Sequence, residues 1–323
     1  MKKMKWLIRR EFWEHDNVFV RAPLVGGLCM IVLIGVAMGL GMVFNKTFSI
    51  TIDGNELAYN GVAYAFPGTT RDAFVDALAG TYMELAVPLF MMLGLILFFY
   101  CLNTLYDERR DRSVLFWKSL PLSDRITVLS KVITALGVAP TIMAVAGIVT
   151  ATLLAMFTCA MAAYAGVPVL ASLCLSSKFY LAPLQVLALL PLYVLWALPS
   201  VGWLLLVSAW ARSKAFLWAI GGPAAAFAVV RTADFYGMPW NADWFLQNVI
   251  GHWLGGLMPG AWLVFDHVPQ GQTTNLFDSH FDMTLVFEHS WQLMGSAQPW
   301  VGAVLGMGMI AAAIRMRHWR LDQ

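Results

Sequence analysis

The sequence predicts an all-α integral membrane protein with six transmembrane helices, and three observations carry that expectation. Hydrophobic residues make up 59% of the 323 and charged residues only 12%, a balance typical of membrane chains. The apolar residues gather into runs of about the 20 needed to cross roughly 30 Å of hydrocarbon. Lys and Arg concentrate in alternate connections between those runs, as the retention of positive charge on the cytoplasmic side requires.

The six runs lie near Ala22–Phe44, Leu85–Leu105, Val132–Tyr164, Leu181–Ala211, Ala215–Val230 and Trp300–Ile314. The whole chain, 1–323, reads as one membrane domain. With the amino end inside, seventeen basic residues fall in cytoplasmic segments and four, Lys46, Arg71, Lys178 and Arg231, fall outside. Both termini are therefore expected in the cytoplasm. The net charge of +2 carries no message about nucleic acid, because the basic residues are topological markers spread over four segments.

Residues 1–21 are polar and amphipathic, and the run that follows lacks a small-residue cleavage site, so it is expected to stay as an anchor. The first outer loop, 45–83, carries turn signals at Asp53-Gly54-Asn55 and Phe66-Pro67-Gly68, with a short strand over Ser49–Ile52. Beyond the second span comes the densest interior run of charge, residues 106–125. Its spacing predicts a helix from Glu108 to Leu120, about 20 Å long at 1.5 Å per residue, closed by Pro121. Val114, Leu115, Phe116 and Trp117 crowd among its charges. A solvated loop with juxtamembrane positive charge is the plain reading, but Trp and Arg are typical interface anchors and favour a partner contact.

The large outer loop, 232–298, contains a second apolar stretch, Trp244–Phe265, whose only ionisable side chain is His252. Its length suits a seventh span, which would carry Arg315, Arg317 and Arg320 outside. Gly255, Gly256 and Pro259-Gly260 interrupt it, and such residues break helices, so a re-entrant or interfacial hairpin is expected. A strand-like part follows around Thr284–Phe287. Asp278, His280 and Asp282 alternate, which on a strand would set three ligand types on one face and suit zinc. A solvated loop is the commoner role of such a segment.

None of the six span cores holds an Asp, Glu, Lys, Arg or His. Ion-coupled transporters usually bind their driving ion with such a group, so an internal ion site is not expected. Polar span residues such as Asn103, Thr150 and Ser200 suit helix-to-helix hydrogen bonds. Gly35-x-x-x-Gly39 and Gly302-x-x-x-Gly306 permit close helix approach. Cys29, Cys101 and Cys159 sit in spans and Cys174 in an outer loop, a distribution that suits packing better than a disulfide framework.

Asp107-Glu108-Arg109, Asp111-Arg112-Ser113, Lys118-Ser119-Leu120-Pro121-Leu122-Ser123 and Lys131 together resemble the coupling segment of type-2 ABC exporter permeases. The amino end, Leu7 to His15, is similar to the interfacial helix of that family, and Met258-Pro259-Gly260-Ala261-Trp262 to its outer hairpin. The chain departs in having Arg112-Ser113 where the family has a small pair, and in Phe116-Trp117. The resemblance implies a cytoplasmic coupling helix, a bacterial cytoplasmic (inner) membrane, a second permease copy, and a separate ATPase that uses ATP and Mg. It further implies charged contacts from Glu108, Arg109, Arg110, Asp111 and Arg112, with Phe116 and Trp117 filling a cleft in that ATPase and Pro121 fixing the end. The chain lacks any Gly-Lys pair, so it is not expected to hydrolyse ATP or to bind a cofactor. The expected cargo is hydrophobic or amphipathic: lipid-like, peptide or drug. Two alternatives stay open. One is an ATPase-coupled component doing mechanical work on an envelope partner bound at 232–298; the other is an intramembrane enzyme using His252, His267 or His280.

Overall fold

The computed structural model describes residues 2–45, 48–52, 55–59, 68–111, 123–164, 166–265 and 283–319. These residues are overwhelmingly helical, and six of the helical runs are long and apolar enough to cross a membrane: Asn17–Leu40, Arg71–Arg110, Asp124–Tyr164, Ser177–Trp210, Ala215–Phe235 and Gln298–Arg317. The chain is a multi-pass membrane protein. Among the described residues, Trp244–Phe265 is not a seventh such helix.

The chain opens with α1 (Lys2–Glu14), which buries Leu7 and Glu11 on one face and exposes Trp6 and Trp13 on the other. The Arg9 guanidinium lies over the Trp13 ring, 4.5 Å from its centroid. A π-helical turn, Asn17–Arg21, feeds α2 (Ala22–Asn45). Leu24, Leu28, Val32 and Val36 of α2 remain exposed, while Gly27 meets Thr150 so closely that an added methyl carbon would lie 2.5 Å from its hydroxyl. A methyl carbon at Gly35 would make only ordinary contact with Phe157, and one at Gly39 would meet open space, so the first small-residue motif is not a tight crossing. The expected strand is present in a hairpin of β1 (Phe48–Ile52) and β2 (Asn55–Tyr59), antiparallel, with Phe48 opposite Tyr59 and Ile52 opposite Asn55.

The second membrane run starts earlier than its hydropathy indicates. It comprises α3 (Gly68–Thr81), a 3-10 turn over Tyr82–Ala86, and α4 (Val87–Arg110), with Pro88 in the first turn of α4 where no amide hydrogen bond is lost. Of the helix expected from Glu108 to Leu120, residues 108–110 continue α4, which Asp111 caps, its amide donating to Asp107 O at 2.9 Å. Residues 112–122 lie outside the described part. Helix α5 (Asp124–Ile133) starts on Ser123, whose hydroxyl accepts the Ile126 amide as an N-cap. It runs through a π turn, Thr134–Val138, into α6 (Ala139–Tyr164).

Short α7 (Leu170–Leu175) and α8 (Ser177–Ala188) precede α9 (Leu190–Trp210), the most enclosed helix. A four-residue link, with Lys214 at φ 51, leads to α10 (Ala215–Phe235). The broken segment follows: α11 (Ala242–Phe245), a π turn over Leu246–Ile250, α12 (Gly251–Gly255), a turn with Gly260 at φ 85, and α13 (Ala261–Phe265). It packs on α9, where Ser200 Oγ donates to His252 O at 2.7 Å and Tyr193 OH to Leu257 O at 2.9 Å. Gly256 is required there, since a methyl carbon would lie 2.6 to 2.8 Å from Ser200 Oγ, His252 O and Trp196 O. The strand expected around Thr284–Phe287 is a helix, α14 (Met283–Leu293). Met283, Ser290 and Leu293 are its buried residues, a helical spacing, and Trp262 Nε1 donates to Ser290 Oγ at 2.8 Å.

The final span, α15 (Gln298–Trp319), crosses α9 at backbone contact. Methyl carbons added at Gly306 or Gly202 would lie 2.5 Å from Leu198 C and from Gly306 O respectively, so Gly306 of the second small-residue motif builds a close crossing with Gly202, while Gly302 meets Pro199 at ordinary contact. At its start, Gln298 Nε2 lies 3.1 Å from Asn248 Oδ1 and 3.2 Å from His252 Nε2.

Candidate functional site

The ends of α1, α4, α5 and α15 meet at one end of the bundle in a buried set of charges, immediately beside the residues from which the charged segment departs. Lys131 of α5 is 2% exposed. Its ammonium lies 3.0 Å from Glu11 Oε1, 2.9 Å from Glu108 Oε1 and 2.7 Å from Thr104 Oγ1. The ammonium thus hydrogen-bonds Glu11 and Thr104 and forms an ion pair with Glu108, oxygens carried by two other helices. Glu11, 1% exposed, also accepts from Tyr100 OH at 3.1 Å and from Arg10 Nη2 at 3.0 Å. Glu108 offers its second oxygen to Arg317 Nη1 at 2.9 Å, and Arg317 Nε donates to Asp124 Oδ1 at 3.1 Å.

The set contains three carboxylates, Glu11, Glu108 and Asp124, and three cations, Arg10, Lys131 and Arg317, so its formal charge is balanced. Balance is what burial demands, because an isolated ion costs several kcal/mol to remove from water. Burial pushes the Glu11 carboxyl up, but the Lys131 charge and hydrogen bond, with Arg10 and His15, outweigh it and hold Glu11 below the usual carboxylate range.

The expected coupling residues divide here. Glu108 faces inward into the network. Arg109 also turns inward: its guanidinium donates to Ser208 O and, at 2.9 Å, to Ala211 O, so it binds the last carbonyls of α9. Arg110 and Asp111 stay exposed, 3.8 Å apart. Arg112, Phe116, Trp117 and Pro121 lie outside the described residues. So do Asp278, His280 and Asp282, and with them His267. Among the described residues no group of three His, Cys, Asp or Glu is arranged to hold a metal ion. His252 is buried, its ring 4.4 Å from that of Trp196.

In the sequence Arg317 reads only as a topological marker, Lys131 as a marker and the last residue of the coupling-segment resemblance, and Glu11 has no role of its own. A signal was present. Leu7 and Glu11 stand one helical turn apart on the same face, as do Ala313 and Arg317, and a charge in an apolar stripe calls for a buried partner. Beside the network, the end of α1 and a long stripe of α4 enclose a cleft of about 560 Å³, lined in part by Glu14, His15, Phe99, Asn103 and Asp107. No protein-family model matches the chain, nor does any curated protein or solved structure.

Proposed function

We propose that this chain is the membrane subunit of an ATP-driven exporter of the type-2 ABC kind, with ATP hydrolysis in a separate cytoplasmic subunit. The observation that carries the reading is the anchoring of the charged segment. Its Glu108 carboxylate is held by Lys131 and Arg317 at 2.9 Å each, and Arg109 is tied to the end of α9. A push on residues 112–122 would therefore reach α1, α4, α5, α9 and α15 together, which is what an externally powered permease needs. A solvated tether would have no use for such ties.

In this reading the network faces the cytoplasm of a bacterial cell, both termini lie there, and Trp244–Phe265 is a re-entrant hairpin at the outer side. Backbone of that kind is tolerated where protein buries it, and the Ser200 and Tyr193 hydrogen bonds do so. Arg110, Asp111, Arg112, Phe116 and Trp117 touch the ATPase, Pro121 ends the contact helix, and two permease copies frame the path for a hydrophobic or amphipathic cargo. The test is affinity purification of the tagged chain from its native membrane, with ATP hydrolysis measured on the eluate. Co-purifying ATPase activity that Phe116→Ala with Trp117→Ala abolishes is expected; equal activity with that double variant sinks the assignment.

A further inference from the structure

The cleft beside the charge network has a graded wall. Along α4, Leu95, Phe99, Asn103 and Asp107 follow one another at helical i, i+4 spacing and line it. Leu95 and Phe99 are each about half exposed, 56% and 51%, so the cleft begins with open apolar surface at the membrane. Over the next two turns it becomes polar and then acidic. The distance from Leu95 to Asp107 is about 18 Å at 1.5 Å per residue. Glu14, from the end of α1, also lines the cleft.

The electrostatics select the sign of an occupant. Lys131 borders the cleft, but its charge is already matched by Glu11 and Glu108. Glu14 is shared with Arg10 at 3.4 Å. The Asp107 carboxylate, by contrast, has no ionic or hydrogen-bonding partner among the described residues. An anionic head group would meet uncompensated carboxylate, whereas a cationic one would gain a partner. The half-exposed Leu95 and Phe99, a few turns deeper, supply the surface for an alkyl tail.

We infer that this cleft binds an amphiphile with one ammonium head and an apolar tail, the head at Asp107 and Glu14 and the tail along Leu95 and Phe99. Naming that amphiphile as cargo rests on the exporter reading; its binding does not. The test uses the full chain in a neutral detergent, with fluorescence titration of a dansyl-tagged alkylammonium against the same tag on an alkyl alcohol and an alkyl carboxylate. Saturable binding of the ammonium, tighter than of either other probe, is expected. Asp107→Asn with Glu14→Gln should weaken it about tenfold, the sum of two partly exposed ion pairs, while Asp76→Asn, paired with Lys178 at the other end of the molecule, leaves it unchanged. Equal affinity for all three probes, or an unaltered ammonium affinity in the Asp107 and Glu14 variant, overturns the inference. A chain that retains ATPase co-purification but fails this titration loses the ligand and keeps the exporter; one that binds the ammonium without any ATPase partner does the reverse.

Discussion

Replacing Lys131 by Met keeps the length of the side chain and deletes the charge at the centre of the network. Glu108 would not be orphaned, because Arg317 Nη1 remains 2.9 Å from its other oxygen. Glu11 would be. It keeps only Arg10 and the Tyr100 hydroxyl while staying 1% exposed. Breaking a buried pair by removing one partner costs about 3–5 kcal/mol, and the surviving Arg10 contact puts this case near the lower figure. At roughly 2 °C per kcal/mol for a chain of this size, Lys131→Met should lower the unfolding midpoint by about 6 °C, read by tryptophan fluorescence in neutral detergent. Adding Glu11→Gln removes the stranded charge, so the double variant should recover more than half of that loss. Two outcomes would refute the reasoning: a single variant as stable as the parent, or a double variant whose cost is the simple sum of the two singles, since contacting residues should couple.

Two further outcomes follow from the same structure. Because Glu11 is held below the usual carboxylate range in the folded state, its contribution is fully present above the ordinary carboxylate value and is lost as pH falls through the lower, folded value; a midpoint scan from pH 7 to pH 3 should show an acid-side drop that Glu11→Gln reduces. At the α9–α15 crossing, Gly306→Ala places a carbon 2.5 Å from backbone that cannot rotate away and should cost at least the ~1–3 kcal/mol of ordinary overpacking, whereas Gly308→Ala, which meets open space, should be neutral or stabilising by helix propensity; similar midpoints for the two variants would contradict the crossing.

The membrane helices were legible because their signal is local: length and apolarity suffice, and each of the six runs covers most of its predicted stretch. The strand expected at Thr284–Phe287 failed because four residues are too few to separate a period of 2 from one of 3.6; the burial of Met283, Ser290 and Leu293 settles the period only over eleven residues. The network was hidden for a different reason. Glu11, Glu108, Lys131 and Arg317 are scattered over some 300 positions, and which cation meets which carboxylate depends on how four helix ends converge. Lys131 in particular carries two meanings at once, a charge that marks a side of the membrane and a buried partner for two acids, and hydropathy reports only the first.

Helix α15 joins the charge network to the broken segment. Its 22 residues extend about 33 Å, with Arg317 near one end in the charge network and Gln298 at the other against Asn248 and His252. Between them, Gly306 bears directly on the α9 backbone and serves as a fulcrum. Gln298 stands about 12 Å from it and Arg317 about 16 Å. A rigid tilt that moves Arg317 by 1 Å would therefore swing Gln298 by about 0.7 Å the opposite way, and work done on the carboxylates at one end would be felt as displacement of the broken helix at the other.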